Sequence, residues 1–122
     1  MTPREIPDDE RVGTALLFAN DVVRVWEMCL APGESSPLHR HGCDYIIAYT
    51  NELRAEIFHG GEHAEAQYGA GYVEYFPVGR EGSEVQQLTN IGGETHRHFV
   101  IELLERNQAA PRTNNAGRRG PT

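Results

Sequence analysis

Short runs rich in β-branched, aromatic and other apolar residues recur along this chain, each closed within a few positions by Gly, Pro or Asn. They cover 22–30, 43–50, 53–58, 63–68, 72–76, 84–89 and 96–104, with an earlier one at 14–18. Between them stand APGESSP, TNE, HGGEH, YGAG, PVGREGS and NIGGE. These residue types supply the backbone angles and local hydrogen bonds of tight turns. No stretch carries the apolar period of a packed helix, and seven or eight strands at this spacing predict an all-β sandwich or barrel. FHGGEH predicts a two-residue Gly-Gly hairpin. In HFVIELL, alternation sets Phe99, Ile101 and Leu103 on one face, read as the core side. His98, Val100 and Glu102 then fall on the wetter face.

With 122 residues there is room for one domain with a modest core. The longest apolar runs, such as 15–19, are far too short to cross a bilayer, and the polar, acidic start differs from a secretory signal. The expected location is cytoplasmic. Lysine is absent, so Schiff-base chemistry and a phosphate-loop lysine are excluded. Two cysteines, Cys29 and Cys43, make no disulfide framework and should stay reduced. Residues 1–105 carry 7 arginines against all 18 acids, a net of −11. Such a body repels nucleic acid and anionic membrane, so the expected partner is a small molecule. The tail from residue 106 holds the other arginines and no acids, and is expected to be flexible.

The segment PGESSPLHRHGCDYIIAYTNE resembles the first motif of the cupin superfamily: a glycine, five residues, His-x-His, then three or four residues to a glutamate. Gly33, His39 and His41 fit that spacing. GYVEYFPVG resembles the start of the second motif, through Gly71, Pro77 and Gly79. In detail HRHGCDYIIAY is most similar to small, stand-alone bacterial cupins. The resemblance implies a double-stranded β-helix over residues 13–105, a jelly-roll-like barrel, preceded by an arm at 1–12 and followed by the tail at 106–122. It also implies a homodimer and a pocket at one barrel mouth holding a divalent metal (Zn, Ni, Fe or Mn). The family's glutamate position is filled here by Tyr45 or Ile46. Its second-motif histidine falls on Gly82 counting forward from Gly79, or on Gln86 counting back from Asn90.

His39 and His41 are therefore the expected metal ligands, since alternate residues of a strand share a face and neutral imidazoles suit these metals. Gln86 or Glu84 would add an oxygen. Tyr45, with His41, is the candidate acid or base, and Trp26, Tyr49 and Tyr75 are candidates for the substrate-binding wall, with Met28 beside them. Arg40 should point away from its two flanking histidines, and Asp44 should pair with it or with another arginine. His96 and His98 are read as a surface or dimer-face pair, and His59 and His63 as exposed. The expected function is a metal-dependent enzyme acting on a small polar metabolite. The alternatives are a metal-free acid–base enzyme of isomerase or lyase type and a non-catalytic small-molecule-binding module.

Overall fold

The computed structural model describes residues 6–104, and the expected C-terminal tail lies outside them. The strands are β1 (Ala15–Ala19), β2 (Val23–Leu30), β3 (Tyr45–Tyr49), β4 (Leu53–His59), β5 (Glu62–Tyr68), β6 (Val73–Phe76), β7 (Gln86–Asn90) and β8 (His96–Leu103), preceded by one 3-10 turn at Asp8–Glu10. Each matches one of the expected runs to within about two residues, because Gly, Pro and Asn end pairing where the sequence says they should. Two antiparallel sheets result, in the orders β1-β2-β8-β3-β6 and β5-β4-β7. The β4–β5 turn is the Gly60-Gly61 hairpin, and both glycines have the positive φ that a two-residue turn of this hand requires.

Cross-strand register shows what each sheet face carries. On the inner face of the five-stranded sheet, Trp26, Val100 and Ile47 form one row, Met28, His98 and Tyr49 the next, and Arg24, Glu102, Tyr45 and Phe76 a third. Val12, Trp26, Tyr45 and Val100 form a core cluster, while Tyr49, Leu53 and Ala55 form a second where the three-stranded sheet closes over it. Residues 6–12 belong to this body, since Val12 is in the core and Ile6 packs against it.

The expected orientation of β8 is inverted. His96, His98, Val100 and Glu102 are buried, and Phe99, Ile101 and Leu103 lie half-buried on the outer face. Hydropathy points the wrong way because each buried polar side chain of this strand has a hydrogen-bond partner. Glu102 accepts from Arg24 Nε at 2.7 Å and Trp26 Nε1 at 2.8 Å. His96 bonds to His98 and to the Glu52 backbone carbonyl. A paired polar group loses little on leaving water, so it can occupy a core position.

Candidate functional site

A cavity of about 240 Å3 opens between the sheets. His39, His41 and His98 reach it from two distant stretches of sequence, with Tyr45, Tyr49 and Gln86 beside them. Its remaining lining is mostly aliphatic and aromatic, including Met28, Ile47, Ile57, Tyr68, Phe76 and Leu88. Among the described residues, no Asp, Glu, Lys or Arg lines it.

His39 and His41 sit on an extended segment that runs beside β7 rather than within a regular strand. His39 exchanges both backbone hydrogen bonds with Gln86, at 2.9 and 2.7 Å. Residues paired in this way point to the same face, so of the two positions considered for the second-motif histidine, Gln86 is the one placed beside His39. The extended backbone keeps the two-residue repeat, and the imidazoles lie 5.2 Å apart and nearly perpendicular. His39 Nδ1 is 2.9 Å from the Pro37 carbonyl. A carbonyl only accepts, so Nδ1 carries the proton and Nε2 keeps its lone pair. His41 stacks on Tyr45 with ring centroids 3.7 Å apart, and Tyr45 stacks on Phe76 at 4.7 Å. His41 Nδ1 is buried without a hydrogen-bond partner.

Tyr45, rather than Ile46, is the inward residue at the glutamate position, and it lines the cavity together with Gln86. Burial pushes the Tyr45 hydroxyl up to about 12, against a smaller opposing effect of the neighbouring Gln86 side chain. Burial, and secondarily the neighbouring His39, holds His41 down at about 3. Burial also lowers His39, and with help from His96 and His39 it brings His98 to about 3. These imidazoles are uncharged at neutral pH.

The other sequence candidates are dispersed. Trp26 is fully buried, but in the core rather than at the cavity. Tyr75 is half-exposed on β6 and donates to Asp44, whose other oxygen accepts the Val78 N–H. Asp44 thus serves a loop rather than Arg40, and Arg40 lies by Asp9. Glu84 is exposed beside the Gly60 turn and outside the cavity lining. His63 is exposed near Glu56, whereas His59, also exposed, reaches the cavity rim. His98 is the site residue that sequence reasoning placed elsewhere. Its signal was the second His-x-His, discounted because its neighbours Phe99 and Ile101 looked like the core face.

The family resemblance implies a metal here. Among the described residues no three His, Cys, Asp or Glu side chains stand together so as to hold an ion. The carboxylate position carries a tyrosine packed flat on His41, and the residue paired with His39 in place of the third histidine is a neutral amide, Gln86. The donor set does not fit a tightly held resident ion.

No protein-family model matches the sequence, and no curated protein does. Solved structures do match. A cupin domain from Bordetella pertussis aligns with TM-score 0.66 at 19% identity, over 73% of this chain and 88% of that one. An RmlC-like cupin with a double-stranded β-helix from Methanocaldococcus jannaschii aligns with TM-score 0.59 at 17% identity, over 85% and 91%. The polyketide cyclase RemF of Streptomyces resistomycificus aligns with TM-score 0.53 at 20% identity, over 72% of this chain and 58% of that one. With two antiparallel sheets in this order and these neighbours, the chain has the cupin fold, a double-stranded β-helix.

Proposed function

We propose that this chain is a small-molecule-binding cupin whose barrel cavity receives its ligand against neutral imidazoles rather than through a resident metal. The observation that carries the reading is the meeting of His39, His41 and His98 in one cavity where, among the described residues, no Asp, Glu, Lys or Arg stands on the walls. Binding is favoured over proton transfer because the two candidate acid–base groups are far from neutrality. Tyr45 is pushed up to about 12 and His41 down to about 3, whereas efficient proton transfer wants a group near the working pH.

The direct test is elemental analysis of untagged protein beside the His39→Ala/His41→Ala double variant, after exposure to Fe, Ni, Mn and Zn. Metal well below one equivalent in both is the expected result. Near-stoichiometric metal in the parent and none in the variant overturns the reading and restores the metal-dependent enzyme, with His39 and His41 as ligands.

The proposal includes a homodimer. Its support is the outer face of the larger sheet, where Phe18, Val25, Ile101, Ile46 and Tyr75 are cross-strand neighbours in one row spanning all five strands. It also includes a cytoplasmic location, which the two free thiols favour. No helix among the described residues is long and apolar enough to cross a membrane.

A further inference from the structure

We propose that the cavity takes an uncharged molecule of single-ring size that donates a hydrogen bond, a phenol being the simplest case, and that His98 Nε2 accepts that bond because His96 fixes the tautomer of His98. The inference rests on the reading of the cavity as a small-molecule site and names the ligand class.

His96 Nδ1 lies 3.1 Å from the Glu52 carbonyl oxygen, which only accepts, so His96 Nδ1 carries a proton. In a neutral imidazole the other nitrogen is then an acceptor, and His96 Nε2 lies 2.9 Å from His98 Nδ1. His98 Nδ1 must therefore donate, which leaves the lone pair on His98 Nε2. Both rings are buried, and burial disfavours their charged forms, so the neutral description holds at physiological pH. His98 lines the cavity and His96 does not, which makes His96 a positioning residue. His39 presents a second fixed lone pair through its bond to Pro37.

The cavity thus offers imidazole acceptors fixed in tautomer, in a lining of aliphatic and aromatic side chains that also carries Gln86 and Gln87. A ligand carrying a net charge would lose its hydration with no opposite charge to meet it. A ligand without a donor would leave the lone pairs unanswered, the costly case for a buried polar group. Size agrees, since an apolar cavity of about 150 Å3 holds a benzene-sized molecule and this one measures about 240 Å3. Tyr49 and Tyr68, stacked at 4.6 Å, form an aromatic wall for a flat ring.

Chelator-treated parent protein would be titrated with phenol, anisole and benzoate while its amide and imidazole nitrogens are followed by NMR. The expected pattern is a His98 ring protonated at Nδ1, with phenol binding roughly five- to tenfold more tightly than anisole. Phenol should shift the His98 Nε2 signal, and benzoate should be weakest. In His96→Phe, His98 should move toward the Nε2-protonated tautomer and the preference for phenol should vanish while anisole still binds. In His96→Gln, which retains a polar side chain, part of the preference should return. The tautomer measurement on the parent needs no variant. A parent His98 protonated at Nε2, or phenol and anisole binding the cavity equally, overturns this inference and leaves the small-molecule reading standing. Failure of all three probes to perturb any cavity residue overturns both.

Discussion

Glu102 has no exposed surface and lies at the centre of the larger sheet, where its Oε1 accepts from both Arg24 and Trp26. Glu102→Ala would leave a mostly buried guanidinium and an indole N–H facing a void, and should lower stability by about 3 kcal/mol. Glu102→Gln keeps the shape and one acceptor oxygen and should lose less. Urea unfolding of the two variants tests this, and an alanine variant as stable as its parent would show that the pair contributes nothing. The buried histidines give a second prediction. His41 and His98 fall from the ordinary 6.5 to about 3 on folding, and His39 and His96 move in the same direction. Between those values the unfolded chain binds protons that the folded chain refuses. Stability is therefore fully present above about pH 6.5 and is lost as pH falls toward 3, at up to about 1.4 kcal/mol per pH unit for each strongly shifted group. Urea midpoints between pH 4 and 7 should follow that slope, and a flat profile would refute it.

At the level of elements, β8 decides where the site can be. It lies between β2 and β3, so one alternation of its side chains serves both the core and the cavity. Tyr45, His98 and Gln86 come from β3, β8 and β7, and the loop carrying His39 is held to β7 by paired backbone bonds. Further along, Gly13 makes the turn into β1 possible by close approach. A Cβ there would sit 2.6 Å from Trp26 Cβ and 2.8 Å from the Glu27 carbonyl oxygen. Backbone cannot give way as a flexible side chain can, so Gly13→Ala should cost about 1–3 kcal/mol through displacement of β1 and Trp26. Thermal unfolding together with indole fluorescence would detect both effects. An unchanged melting temperature and spectrum would show that the turn adapts.

For the molecule as a whole, the outer face of the larger sheet is the surface that most needs a partner. Its cross-strand row ends at Phe18 and Tyr75, both about half-exposed at 53% and 52%. Edge strand β1 adds Leu17, 52% exposed. Solvent-exposed apolar surface of this continuity supports the proposed homodimer. Light scattering after size exclusion should return twice the chain mass for the parent and the single-chain mass for Phe18→Glu. A parent that remains a monomer at tens of micromolar would remove the homodimer from the proposal.

Fold class and strand positions could be read from the sequence, because turn chemistry is local: Gly60 and Gly61, or the residues around Asn90, act on their own backbone whatever surrounds them. The pair His39 and His41 was legible for the same reason, since an extended backbone repeats every two residues in a strand or beside one. Which face of β8 turned inward was not local. Phe99, Ile101 and Leu103 outweigh His96, His98 and Glu102 on any hydropathy scale, and only the arrival of Glu52, Arg24 and Trp26 from elsewhere in the chain makes the polar face fit to bury. The same contacts bring His98 to the cavity and leave Trp26 in the core, while the β3–β6 register sets Tyr75 on the outer face. Sequence fixes a side chain's chemistry and its alternation; the free energy of burying it depends on partners that only the folded chain brings within reach.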